Sequence, residues 1–278
     1  MLAQRLRRIC DSFSLASIVT LRAAAIVFLV IPIVVAVAMS FDARNYLGQF
    51  PPPHFSIKWY LRFFTDPFFL HGIQTSVVIA TLATTISTTV GLAASIALDR
   101  FRFFGRNLVM TMLLSPVVVP AIVIGFGLLL FSVRLGIYNG FVRLLCGHVI
   151  ITLPYTVRAT FSSLVGIKRS YREAALSLGA TEWRAFVDVT FPLAKTGIAA
   201  AAIFAFAFSL DDVAVSLFLT DQHNYTLPVV LISMMRGSFD LSVAAAAVVL
   251  VAFTLLFIAT LDRVVGLERV IGQGIYRS

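Results

Sequence analysis

An all-α membrane protein of six transmembrane helices, with N- and C-termini cytoplasmic, is the fold class predicted by this sequence of 278 residues. Three observations predict it. Hydrophobic residues make up 59% of the chain and charged residues only 13%, whereas a soluble domain carries about 25% charge to face water. Six apolar stretches each reach the roughly 20 residues that a helix needs to cross the bilayer's hydrocarbon. The basic residues sit in short clusters between those stretches and favour one side, which is how membrane proteins set their orientation.

Residues 1–20 form a cytoplasmic N-terminus with Arg5, Arg7 and Arg8, and 21–41 is the first span. Those arginines with Ala36-Val37-Ala38 also fit a cleaved secretory signal. The apolar run continues to Phe41 and five spans follow, so an uncleaved anchor is favoured. Residues 42–71 form an external loop holding Pro51-Pro52-Pro53 and the aromatic group Trp59, Tyr60, Phe63 and Phe64. Such aromatics favour the membrane interface, and a short amphipathic helix is expected there. Residues 72–262 form the core, with spans from Gly72 to Leu98, Leu108 to Val133, Phe141 to Ile167, Thr196 to Thr220 and Leu241 to Leu261. The segment Asp221 to Asp240 reads as a second sizeable outer loop, and 263–278 as the cytoplasmic C-terminus.

With this topology fifteen of the 22 basic residues lie inside, including Arg100, Arg102, Arg106, Lys168, Arg169 and Arg172. Six lie outside (Arg44, Lys58, Arg62, Arg134, Arg143 and Arg236), and Arg158 falls within the fourth span. The net charge of +9 therefore sets orientation, and no basic stripe with interleaved aromatics points to nucleic acid. Cys10 and Cys146 sit in unlike surroundings and suggest no disulfide. His54, His71, His148 and His223 are far apart, no metal-ligand cluster is visible, and no cofactor is implied; His148 in its apolar run reads as a polar contact between helices.

Other residues of the spans read as packing features. Thr81, Thr84, Thr85, Ser87, Thr88 and Thr89 make the second span hydroxyl-rich, as suits bonds across packed helices. Pro116, Pro120 and Pro154 are expected to kink their helices, and Gly125 and Gly127 to allow close approach. Alanines 199–202 and 244–247 suit tight contacts within the bundle or with a second subunit.

The segment with most chemistry is cytoplasmic, residues 171–192 between the fourth and fifth spans. Tyr171 to Leu178 is made of strong helix formers. Gly179 ends that helix, because glycine accepts the left-handed conformation of a helix stop. Thr181 is a natural N-cap for a second short helix, and Pro192 is expected to stop it before the fifth span. The segment is longer than the 2 to 8 residues or so that usually join packed helices.

Glu173-Ala174-Ala175, three residues, Gly179, nine residues, then Val189-Thr190-Phe191-Pro192 resembles the EAA loop of type I ABC importer permeases. The family pattern ends in Ile-x-Leu-Pro, so Val189 and Phe191 are apolar departures. The resemblance implies a permease fold whose partners are nucleotide-binding ATPase subunits, a second permease subunit forming a homologous heterodimer and a periplasmic solute-binding protein, in a bacterial inner membrane. It assigns Glu173, Ala174, Ala175, Gly179 and Pro192 to the ATPase-coupling loop. The chain has no GxxxxGK[ST] phosphate loop, so it is not itself an enzyme, and ATP with its magnesium would be bound by the partner.

The fifth span also carries Ser209, Asp211, Asp212 and Ser216. Ionisable residues inside a membrane are expensive and face an aqueous path or a partner. Two readings stand: a polar contact between helices, with Arg158 as a partner, or an anionic lining that attracts a cationic solute. Adjacent helical positions differ by about 100°, so one carboxylate can line the path while the other caps or pairs. Ser209-Leu210-Asp211-Asp212 with Val213, Ser216, Thr226-Leu227-Pro228 and Ser233-Met234 resembles permeases for putrescine and spermidine, and related permeases serve other small amino compounds. Two further classes are disfavoured. A membrane enzyme would need convergent catalytic groups within the spans, and a secondary transporter or channel would show inverted repeats.

Overall fold

The computed structural model describes residues 2–46, 48–237 and 240–265. The side chains of Arg5, Arg7, Arg8 and Cys10, and the residues Arg269 and Arg277, lie outside what is described. The chain divides into two compact units, Met1–Thr65 with Met234–Leu250, and Asp66–Ser233 with the described part of Val251–Ser278.

The first unit begins with α1 (Leu2–Ser40), whose apolar part Ser17–Ser40 is long enough to cross a membrane. The expected interfacial helix is α2 (Lys58–Thr65). Trp59 and Phe63, four positions apart, are buried while Phe64 is exposed, the one-sided pattern of an amphipathic helix. Trp59 Nε1 donates to the Asp42 carbonyl at 2.7 Å, and Met39, Trp59, Leu241 and Ala245 form a small core. Asp42 itself is buried and bonded to Arg44 through both carboxylate oxygens. Arg62 pairs with Asp240 at 2.6 Å.

The second unit is built around α3 (Pro67–Arg100), α6 (Gly140–Val165) and α9 (Phe191–Leu210). Asp66 caps α3 by accepting from Phe68 N at 2.9 Å, with Pro67 in the first turn, where no N–H is missed. Asn139 caps α6 in the same way. The two helices close on each other at Gly91, where an added Cβ would lie 2.6 Å from Thr156 Oγ1. Thr156 Oγ1 donates to the Ser87 carbonyl and Ser95 Oγ to that of Val157, so the hydroxyls that bond across these helices are not the ones expected; Ser87 Oγ itself turns to the Thr84 carbonyl of its own helix. Thr81, Thr85 and Thr89 do likewise: exposed, they bond carbonyls four residues back in their own helix.

Three sequence expectations are corrected by the structure. The predicted third span, Leu108 to Val133, is a pair of segments, Arg106–Val117 and Ala121–Arg134, bent by 103°. The first is α4 (Arg106–Leu114) with a 3₁₀ turn, and the second α5 (Ala121–Arg134). Pro116 and Pro120 lack the N–H groups that would continue the ladder, so they break the span where a kink was expected. The predicted fifth span, Thr196 to Thr220, stops at Leu210; a turn and then α10 (Ser216–Leu219) follow. The outer loop from Asp221 to Asp240 contains a helix, α11 (Leu227–Gly237). The last helix is α12 (Ser242–Val265), which packs Phe257 on Phe206 of α9 with ring centroids 3.7 Å apart. In all, five described helices are long and apolar enough to cross a membrane, and six if the bent pair counts as one.

Candidate coupling loop and solute site

At one end of the second unit α7 (Arg169–Ser177) leads into α8 (Glu182–Ala185). Gly179 has φ +88°. Its N–H reaches the Leu176 carbonyl at 3.0 Å, and Ala180 N reaches that of Ala175 at 3.1 Å. This pair of bonds is the Schellman motif, which uses carbonyls the helix end would otherwise leave unpaired. Thr181 then caps α8, its Oγ1 accepting from Arg184 N at 3.3 Å.

The expectation that Pro192 stops the second helix fails. After Ala185 the chain makes a π-helical turn, Phe186–Thr190, and runs straight into α9, with Pro192 in its first turn. A proline here has no N–H for the carbonyl four residues back, and its ring would crowd that carbonyl. The wider turn relieves both problems, with Phe191 N donating to Phe186 O. From Glu182 onward the coupling segment is thereby continuous with the long helix that follows, one helical run from Glu182 to Leu210.

Glu182 ties the loop together. Arg172 reaches both its carboxylate oxygens, Nε at 3.1 Å and Nη2 at 2.5 Å, the two-pronged geometry that fixes orientation. Arg100, the last residue of α3, lies 3.6 Å from the same carboxylate and over the Phe186 ring. A polar cleft of about 450 Å³ beside them is lined by Asp99, Lys168, Arg169, Glu173 and Thr190 among others. Glu173 and Ala174 are exposed and Ala175 is half-buried. Tyr171, Leu178 and Trp183 are also exposed, Leu178 at 89% and Trp183 at 71%.

At the opposite end of α9 the two carboxylates part company. Asp211 keeps helical dihedrals, donates its N–H to Ala207 O, and is exposed. Asp212 is buried and turns back to cap α10, its Oδ2 accepting from Val215 N, Ser216 N and Ser216 Oγ at 3.2, 2.9 and 3.0 Å. Among the described residues, Arg158 is not an ion-pair partner of either carboxylate.

Ser209 and Ser216 are buried as well, and both bond His148, at 2.7 Å through Nδ1 and 2.9 Å through Nε2. Ser216 Oγ donates its proton to Asp212 Oδ2 and therefore accepts from His148 Nε2–H. The neutral ring then accepts from Ser209 at Nδ1. Ser209, His148, Ser216 and Asp212 thus form one directional chain of bonds from α9 through α6 to α10. The expected polar contact for His148 is there, but its partners are read only from the fold. Gly125 and Gly147 let α10 sit close: a Cβ on Gly125 would lie 2.9 Å from Val215 Cα, and one on Gly147 would meet Leu219 and Val215. Proximity of this kind leaves no signature in spacing.

A helical bundle with a broken third span, a two-helix loop at one end and an open carboxylate at the other suits a transport protein better than an enzyme. The chain belongs to the family described as binding-protein-dependent transport system inner membrane component, which matches residues 87–267. It is 32% identical over 231 residues to the spermidine/putrescine transport system permease protein PotC of Escherichia coli K12, covering 83% of this chain and 87% of that protein. With PotC of Haemophilus influenzae the identity is 35% over 228 residues, 82% and 88% of the two chains. Among solved structures, a bacterial ABC transporter involved in import of the acidic polysaccharide alginate matches with a TM-score of 0.76 over 94% of this chain and 98% of that one. At 12% identity that likeness establishes the fold alone. The protein is a multi-pass membrane protein of the transport permease class.

Proposed function

We propose that this chain is one of two transmembrane subunits of an ATP-driven importer in the bacterial inner membrane, and that it passes a polyamine such as putrescine or spermidine inward. A periplasmic binding protein delivers the solute, and separate nucleotide-binding subunits hold and hydrolyse ATP with its magnesium. The loop 171–192 faces those subunits from the cytoplasmic side, in keeping with the bias of basic residues.

The observation that carries the reading is the loop. Its Schellman turn at Gly179 holds Glu173, Ala174, Leu178 and Trp183 open to a partner. Its unbroken run into α9 gives a push on the loop a stiff path to Asp211, about 30 residues or 45 Å further along at 1.5 Å per helical residue. Closure of the ATPase dimer would tilt this rod, and the bundle would switch between inward- and outward-open states. Asp211, with Asp212, Ser209 and Ser216 supporting it from behind, marks the solute path; the names of the relatives favour an amine as cargo.

Uptake of labelled putrescine and spermidine by the native host tests this, with and without this gene and with and without ATP depletion. Energy-dependent uptake that vanishes with the gene is expected. Unchanged amine uptake in the deleted strain would reject the proposed cargo.

A further inference from the structure

We infer that Tyr155, Phe204, Phe208 and Asp211 form an amine-binding site for an alkyl diammonium chain, rings cradling the methylenes and one ammonium while Asp211 holds the other. This deepens the amine-import reading above and rests on it. The four residues come from two helices. Tyr155 on α6 lies with its ring centroid 4.9 Å from Phe208 and 5.1 Å from Phe204, both on α9. The two phenylalanine rings are stacked, 6.1 Å apart at 11°.

Positions 204, 208 and 211 are spaced i, i+4, i+7, so they share one helix face. Asp211 keeps helical dihedrals and stays on that face. At 1.5 Å per residue it lies about 4.5 Å beyond Phe208 and 10.5 Å beyond Phe204, a spacing that suits a short chain with a charge at each end.

Three observations separate a site from ordinary packing. Phe206, on the other face of α9, is 4% exposed against Phe257, whereas Phe204 is 51% exposed and Tyr155 and Phe208 are half-buried. Tyr155 and Phe208 also wall a cavity of about 280 Å³ whose opposite side is the break in the third span, Pro116 to Ala121. Backbone that is not helical at membrane depth is tolerated where it is buried in protein or lines a water-filled cavity, and its carbonyls offer further partial negative charge. Finally, Asp211 is a carboxylate without a basic partner among the described residues, on the same helix face as two of the rings, whose faces attract cations. Aromatic faces plus one open carboxylate are the chemistry that selects an ammonium over a neutral solute.

The test uses the whole transporter, purified from native-host membranes through a tag on this chain and freed of its binding protein. Binding of labelled putrescine is measured, with n-butylamine and butane-1,4-diol as competitors. Putrescine is expected to bind, n-butylamine to compete weakly and the diol not at all. Phe208→Leu and Phe204→Leu should weaken binding about 2- to 30-fold, and Asp211→Asn about tenfold to hundredfold. All three should keep the wild-type melting temperature and retain the partner subunits. Phe204→Leu, being half-exposed, serves where Phe208→Leu does not fold. Cells that import putrescine through a transporter whose variants bind it as tightly as wild type would overturn the site and leave the cargo standing. Cells that import no amine at all would reject the cargo, and the site with it.

Discussion

Replacing Asp212 by alanine should destabilise the protein, whereas Asp211→Asn should not, although the two carboxylates are adjacent in sequence. Asp212 accepts from two backbone N–H groups at the start of α10 and from Ser216 Oγ, all in a buried setting. Alanine leaves these donors without an acceptor. Hydrogen bonds to a charged group contribute about 1.5–3 kcal/mol each and an unsatisfied buried donor costs about 1–3. The bonds share one carboxylate and do not add fully, so a total loss of roughly 2–4 kcal/mol follows. For a chain of this size that is about 4–16 °C in melting temperature, at 2–4 °C per kcal/mol. The assay is thermal unfolding of the detergent-purified protein. Asp212→Asn keeps an acceptor oxygen and should lose less than half as much. An Asp212→Ala variant that melts with wild type, or an Asp211→Asn variant that melts well below it, would refute the division of roles between capping and solute path.

Further outcomes follow from other sites. Gly91→Val should strain the crossing of α3 and α6, where an added Cβ would lie 2.6 Å from Thr156 Oγ1. A loss of about 1–3 kcal/mol in unfolding experiments is expected, while Gly127→Val, with nothing within 4 Å, should cost far less. Glu182→Gln removes the anion shared by Arg172 and Arg100. It should lower putrescine uptake per ATP hydrolysed with little change in melting, because the loop stays formed but loses its tie to α3. The Arg44 guanidinium bonded to Asp42 holds that carboxyl below the usual range, against the opposing effect of burial. A depressed folded value means that this stabilisation is present above the unfolded value near 3.9 and is lost as pH falls through the folded one. Trp59 fluorescence, read in a Trp183→Phe background, should therefore hold steady from neutral pH to about pH 5 and change only below about pH 4. Asp42→Asn should flatten that acid change.

Much of the architecture was legible because its causes are local. Gly179 and Thr181 announced a helix stop and a helix start through backbone preference and a side-chain oxygen, and both occur as read. Apolar length alone placed α1, α3, α6 and α12. The misreadings share a different cause. Pro192 looks like a terminator when only its own turn is considered, yet a π-helical turn absorbs it. Pro116 and Pro120 together break a span where each alone would bend it. Asp211 and Asp212 were separable in principle, since one carboxylate had to face away from the other. Which one caps was decided by Ser216 and His148, 68 residues apart. The aromatic trio was invisible for the same reason: Tyr155 meets Phe204 and Phe208 only once α6 and α9 are packed.

The central claim is that residues 171–192 are where a separate ATPase engages this chain. The most direct measurement is how much ATPase subunit co-purifies with the tagged chain from native-host membranes, compared between wild type and a Gly179→Pro variant. Proline cannot reach φ +88°, so the turn between α7 and α8 is lost while the membrane helices keep their contacts. The account predicts that the variant melts near the wild-type temperature but retains little or no ATPase and imports no putrescine. Full retention of the ATPase, with uptake intact, would contradict it.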